Sequence, residues 1–385
     1  MSSDTSDEWL ARGLELNEQE RYSEALAAYD RALALDPDRA DAWVLKGGVL
    51  SELERNPEAL SAYDRALDLD PNESAVWLFK ADVLASLERY EDSLEAVERG
   101  LALDPTETDA WLIKGATLAS LDRTDEALAA YDRALALDPE ETDAMVGKGE
   151  ALVILERPEE ALAAFNRALD LDPSDSDAWT GKGDALDALE RHDEALEAYE
   201  QALQIEPDDD DALVGKGDAL ANLERYDEAL EAYESALALD DSSAWAWMGR
   251  GDALAELERN EDALAAYNHA LNIEPEDERA WTGKAIALVD LGRINEAVQA
   301  LDHVLALSPD DPYMWSLKAD SLVRLDRTGD ALTAYNRATE IDPNYAWAWV
   351  GKAACLHALG REKEASAAER KARDLGAEFT IARED

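Results

Sequence analysis

A proline returns every thirty-four residues along this chain, at Pro37, Pro71, Pro105, Pro139, Pro173, Pro207, Pro275, Pro309 and Pro343, and the one gap in the series is held by Asp241. So strict a period excludes a single closed core. Each unit must bury its apolar face against the next, and the chain lengthens by stacking rather than by enlarging a globule. A stack of that kind presents surface, so the period points to holding other molecules before any single residue does.

Residues 40–73 serve as a template. Trp43, Gly47, Leu50 and Leu53 recur at spacings of four, three and three, which sets them on one helical face. Ala59, Leu60, Tyr63, Ala66 and Leu67 repeat the pattern further on. The polar break Glu54-Arg55-Asn56-Pro57 separates the two, with Pro57 suited to a first helical turn. Asp70-Pro71 ends the second pattern, because proline disfavours helical geometry in the residue before it. Each repeat therefore reads as two antiparallel helices, and the chain as all-α. Units begin at 6, 40, 74, 108, 142, 176, 210, 244, 278, 312 and 346, giving eleven over residues 6–379 between short tails at 1–5 and 380–385. Gly47, Ala59 and Ala66 fall where helices come closest, and the recurring Trp and Tyr positions read as core rather than as a ligand cage.

Trp, Gly four residues on, then Ala, Tyr, Ala and Pro at these offsets resemble the tetratricopeptide repeat, in eleven copies that keep register. The resemblance implies a right-handed superhelical solenoid of helix pairs, with first helices lining a concave groove. It also implies binding of peptides or assembly of complexes, without chemistry in the repeats. Two places depart from the pattern. Residues 361–375 put Glu369 in the aromatic slot and gather Arg361, Lys363, Arg370, Lys371 and Arg373, which reads as a capping helix. Asp240-Asp241-Ser242-Ser243 replaces one proline turn, either as a small change of geometry or as a tolerated substitution.

Eighty-nine acidic residues against thirty-six basic ones give a formal net charge of −53, spread over every repeat. Such a surface disfavours nucleic acid and anionic membranes, whose phosphates need cationic partners. The acidity either attracts a basic partner or adapts the chain to molar salt. The even spread, the Asp richness and the low share of Lys among the bases favour salt adaptation, since the screening length there falls to about 3 Å. No apolar run approaches the roughly eighteen residues of a membrane span. The N-terminal segment lacks the basic and apolar regions of a signal peptide, and a single cysteine, Cys355, excludes an internal disulfide framework. The expectation is a soluble, cytoplasmic protein.

Lysines at 46, 80, 114, 148, 182, 216, 284, 318 and 352 all precede the small-residue slot of the first helix. Their stems suit packing at the rim with the ammonium on a nearby carboxylate; the alternative is a cationic ladder that binds anions. The opposite face of the first helix is the candidate binding surface, since its residues cannot pack within their own repeat. It carries Asp82, Glu150, Asp184, Asp218, Asp252 and Asp320 at one position, and Trp245, Arg279, Tyr313 and Trp347 nearer the helix start. Acidic groups in the middle suit a Lys- or Arg-bearing segment, and aromatics toward the C-terminus suit anchors. Gly147, Gly181, Gly215, Gly249 and Gly283 also fall on this face. Glycine in a helix costs roughly 1 kcal/mol relative to alanine, so the series signals either room for a ligand backbone or duplication of one ancestral repeat.

Searches for chemistry return nothing. His192, His269, His303 and His357 have no metal-ligand spacing with one another or with Cys355. There is no phosphate-binding loop, no calcium loop and no nucleophile with a recognisable base. The groove slots that would hold a carboxylate clamp carry Asp, Gly and aliphatic residues instead. The sequence therefore predicts a non-enzymatic interaction module, without cofactor or metal, that captures a protein or peptide segment in its groove. A scaffold acting through its ends and convex face, including self-association, and a regulatory arm for an enzyme on another chain are the alternatives.

Overall fold

The computed structural model describes residues 5–377; residues 1–4 and 378–385, which include most of both expected tails, lie outside the described residues. Among the described residues there is no strand, and twenty-two helices follow one another. First helices begin at Ser6, Ala40, Ser74, Thr108, Thr142, Ser176, Asp210, Ala244, Glu278, Pro312 and Ala346. Thr5 caps the first of these, accepting from the Glu8 amide while the Glu8 carboxylate accepts from the Thr5 amide.

The turn inside each repeat rests on one residue in the left-handed region. Glu20, Glu54, Glu88, Asp122, Glu156, Glu190, Glu224, Glu258 and Asp326 take that conformation, and Gly292 and Gly360 hold the same place in two repeats. The turn between repeats is built by aspartate and tryptophan together. Asp70 ends its helix in extended geometry and accepts from the Asn72 amide at 3.1 Å, while the Trp77 indole donates to the Pro71 carbonyl at 3.1 Å. What the turn needs from residue 71 is its carbonyl oxygen. At the proline-free turn Trp247 donates to the Asp241 carbonyl at 3.0 Å and Asp240 accepts from Ser242 at 2.9 Å, so Asp241 reads as a tolerated substitution.

The chain divides into two compact units, one up to Arg191 and one from His192. Within each, consecutive helices pack side by side in a row. Buried Tyr63, Leu118, Tyr131 and Phe165 mark the core of the first unit, and Tyr233, Tyr267, Leu301 and Tyr335 that of the second. The tryptophans differ from the expected core role: Trp43, Trp111, Trp281 and Trp349 are only half-buried, between the proline turn and a lysine.

Candidate functional site: the outer face of the first helices

The lysine series is structural. Lys46, Lys80, Lys114, Lys148, Lys216 and Lys318 pair with a carboxylate on the second helix of the preceding repeat, as in Lys80–Asp64 at 2.6 Å, Lys114–Glu98 at 2.9 Å and Lys148–Asp132 at 2.6 Å. Where a tryptophan stands three residues before the lysine, the ammonium lies over its ring, 5.4 Å away at Lys80–Trp77 and 5.7 Å at Lys114–Trp111. Where the carboxylate sixteen residues back is replaced by Asn166, Asn268 or Asn336, the ammonium draws closer to the ring. Lys182, Lys284 and Lys352 sit 4.6, 4.4 and 4.5 Å from theirs. Burial lowers the Lys284 and Lys352 ammonium groups below the ordinary lysine range. These cations are engaged in joining repeats rather than arrayed for anions.

The glycine series is structural as well, for a reason the sequence reading did not contain. A Cβ on Gly147 would fall 2.5 Å from the Tyr131 ring, on Gly215 2.5 Å from Tyr199, and on Gly249 2.5 Å from Tyr233. Each ring belongs to the preceding repeat, and Tyr131 and Tyr233 also lie against a glycine of their own repeat, Gly115 and Gly217. The space beside these glycines is filled by protein. The pairing is not uniform down the chain: Tyr29 and Tyr63 keep their rings although Leu45 and Phe79 take the glycine position. Where the ring is replaced by Val97 or Leu301, the next repeat carries Ile113 or Leu317 against it.

Passing the glycine, the tyrosine hydroxyl emerges on the outer face and meets the candidate acids. Tyr233 donates to Asp218 at 2.6 Å and Tyr267 to Asp252 at 2.8 Å, and Tyr335 donates to Asp320. Asp218 also accepts from the Trp245 indole at 2.9 Å. The Arg279 guanidinium lies 4.7 Å over the Trp245 ring and 3.6 Å from the Asp252 carboxylate. The second unit thus joins Tyr233, Asp218, Trp245, Arg279, Asp252 and Tyr267 into one continuous chain of contacts. Burial, then Tyr267 and Arg279 in opposition, leaves the Asp252 carboxyl above the usual carboxylate range. The sequence carried a signal for the hydroxyls: an Asp followed by Tyr fifteen residues later, across a helix boundary.

Further on, Tyr313 and Trp347 are 50% and 74% exposed, against 49% for Trp245. Tyr345, two residues before Trp347, is pushed above the usual tyrosine range by burial and then by Tyr313, Asp320 and Asp311, so these groups share one neighbourhood. In the first unit, partial burial and then the carboxylates of Asp177, Asp184 and Asp175 raise the Glu150 carboxyl. Asp82 stands apart from this group and acts on Tyr63, whose hydroxyl burial pushes up to about 12. Where Leu45 takes the glycine position, the hydroxyl finds no opening: Tyr29 Oη is buried without a hydrogen-bond partner.

Comparison with known proteins bears on this arrangement. A sequence profile of the tetratricopeptide repeat matches residues 10–212 and 214–278 in overlapping stretches, and further profiles of the same description match 254–320, 312–345 and 334–365. The chain belongs to the tetratricopeptide-repeat family. Similar solved structures include the APC/C hetero-tetramer Cut9–Hcn1, at 19% identity over 91% of this chain and 76% of that one, with a TM-score of 0.55. A tetratricopeptide repeat protein from Parabacteroides merdae ATCC 43184 matches at 15% identity over 65% of this chain and 98% of that one, with a TM-score of 0.54. Both likenesses concern the fold. No curated protein matches the sequence. As a tetratricopeptide-repeat chain it is a protein–protein interaction module. Among the described residues no helix is long and apolar enough to cross a membrane, and no three His, Cys, Asp or Glu side chains gather as a metal site.

Proposed function

We propose that this tetratricopeptide-repeat chain is a non-enzymatic module that holds a peptide segment of a protein partner along the outer face of its first helices. The observation that carries the reading is the exposure of Trp245, Tyr313 and Trp347 at a helix position that Asp41, Asp109, Asp143, Asp177 and Asp211 hold in other repeats. Large aromatics left in water on a rigid frame are the usual anchors of an interface. A basic segment suits the same face. Glu150 is crowded by three carboxylates whose mutual repulsion a cation would relieve. Asp218 and Asp252 contribute differently from the sequence expectation: both already hold polar partners within the chain, so they shape the surface more than they attract charge.

Selection of a displayed random-peptide library on the full chain in molar potassium chloride tests this. The selected peptides should lose at least about 2 kcal/mol of affinity on Trp347→Ala, the scale of an interface anchor, with helicity unchanged. Peptides that bind Trp347→Ala and Asp184→Asn as tightly as the wild type would remove the site from this face.

A further inference from the structure

We infer that the cleft between the first helices of the second and third repeats takes a large apolar side chain of the partner peptide, flanked in that peptide by lysine or arginine. This deepens the proposed function and rests on it. Helices Ala40–Glu52 and Ser74–Ala85 leave a cavity of about 530 Å³ between them, within the range of roughly 300–1,000 Å³ that small ligands occupy. Val44 and Leu45 line it from one helix and Val76 and Phe79 from the next, with buried Ala66 of the intervening helix. Phe79 is 47% exposed, and its ring rests against Tyr63 with the centroids 6.0 Å apart. The wall is therefore in place before anything binds, which lowers the cost of binding.

Small Ala75 keeps the cleft open, at a position where every other repeat carries Asp, Arg or a large aromatic. In the second unit the counterparts of Asp41 and Ala75 are Trp245 and Arg279, which stack on each other at 4.7 Å. Here the same two positions line an empty space. The rim sets the charge of the occupant. Asp41, Asp70 and Glu73 line the cleft, and among the described residues no Lys, Arg or His does. Arg39 does not cancel this, because its one guanidinium is divided between Asp41 and Asp7. Asp70 accepts from the neutral Asn72 amide, and Glu73 has no hydrogen bond or ion pair among the described residues. An apolar side chain fills the walls while a neighbouring cation meets the rim; an acidic segment would crowd three carboxylates on a chain of net −53. Burial of the large side chain is the greater contribution, and the carboxylates select which peptide delivers it.

The test titrates acetyl-Lys-Phe-Lys-amide into the full chain, at the lowest potassium chloride concentration that keeps the full helical signal. It follows the methyl resonances of Leu45 and Val76, assigned by their loss in Leu45→Ile and Val76→Ile. The expected result is a saturable shift of both. Acetyl-Lys-Ala-Lys-amide should bind at least about tenfold more weakly, the scale of one large side chain left unburied, and acetyl-Glu-Phe-Glu-amide about tenfold more weakly. Phe79→Gly installs the residue that Gly147 and Gly249 supply in later repeats, and should weaken the Lys-Phe-Lys peptide to the level of the alanine peptide. Glu73→Gln should weaken it about threefold. Resonances that stay still, or equal binding of the alanine or glutamate peptide, overturn the inference. If displayed peptides then depend on Trp347 and not on Phe79, the groove reading survives that failure. Binding of the tripeptide at the cleft without any selected peptide would instead break the groove reading and leave the cleft standing. The sequence also holds Phe379. If Phe379→Ala shifts the two methyls without peptide and tightens tripeptide binding, the occupant is the chain's own tail, and the assignment to a partner fails. Shifts of the same methyls on dilution of the free chain would give the cleft to a second copy and overturn it likewise.

Discussion

Replacing Gly249 by alanine tests whether the glycines of the outer face are seats for aromatic rings. The added methyl would lie 2.5 Å from Tyr233 Cζ, 2.7 Å from Cε1 and 2.8 Å from the hydroxyl oxygen. Carbon atoms rest at about 3.5–4.0 Å, so the ring must retreat by about 1 Å. Gly217 confines the same ring, since a Cβ there would stand 2.5 Å from Tyr233 Cε1. Overpacking of a held core side chain costs up to about 3 kcal/mol. Removing glycine from a helix interior returns about 1 kcal/mol, which leaves a net loss of about 2 kcal/mol.

Stacked repeats do not unfold in one step, so the loss should be read locally, by native-state hydrogen exchange of amides in Tyr226–Leu239 and Ala244–Glu256. Exchange should quicken by roughly thirty-fold there, the equivalent of about 2 kcal/mol. Gly48→Ala is the internal control, since the nearest atom to its new methyl would be Tyr63 Oη at 3.9 Å. That variant should gain about 1 kcal/mol from helix propensity alone. A second control follows from the chain's own Leu301–Leu317 pair. Tyr233→Leu with Gly249→Leu should be less harmful than Gly249→Leu alone, a coupling that a double-mutant cycle measures directly. If Gly249→Ala stabilises as Gly48→Ala does, the ring is not seated on the glycine and the reasoning fails.

Three further outcomes follow. Tyr29→Phe removes a buried hydroxyl that has no partner and should raise the local stability of its repeat by about 1 kcal/mol, whereas Tyr233→Phe takes a donor from Asp218 and should lower it by about 1 kcal/mol; hydrogen exchange in the two repeats shows the opposite signs. Glu224→Gly relieves a left-handed turn that Gly292 and Gly360 already occupy elsewhere, and should raise the denaturation midpoint by an amount equivalent to about 0.5–1 kcal/mol, with no gain refuting a strained turn. His357 lies 2.8 Å from both Glu362 and Glu369, and chiefly the Glu369 bond raises its imidazolium above the ordinary histidine range. A raised histidine stabilises fully below its unfolded pKa near 6.5 and loses that contribution as pH climbs through the folded value. Amides of Glu362–Asp374 should therefore be better protected at pH 6 than at pH 8 once intrinsic exchange is corrected, and His357→Gln should remove the difference.

The helix pairs were legible because they depend on short-range signals: Trp43, Gly47 and Leu50 share a face within one helix, and Asp70-Pro71 stops the next. The site was legible only as a set of surface positions. Asp218, Asp252 and Arg279 read alike as solvated charges, since a single helix face cannot show a hydroxyl arriving from another helix or a guanidinium from the next repeat. Gly249 looked vacant for the same reason, as its neighbour Tyr233 lies sixteen residues away in the preceding repeat. The left-handed turn at Glu54 gave no warning, because nothing in a glutamate announces positive φ. In a stacked chain, however, contacts between helices recur at fixed offsets: fifteen from acid to tyrosine within a repeat and sixteen from lysine to carboxylate between repeats. The sixteen-residue offset pairs Val97 with Ile113 and Leu301 with Leu317, but also Tyr29 with Leu45 and Tyr63 with Phe79, so ring and glycine are not exchanged together throughout. Arg279, one repeat after Trp245, lies over that ring, whereas Trp347 is 74% exposed.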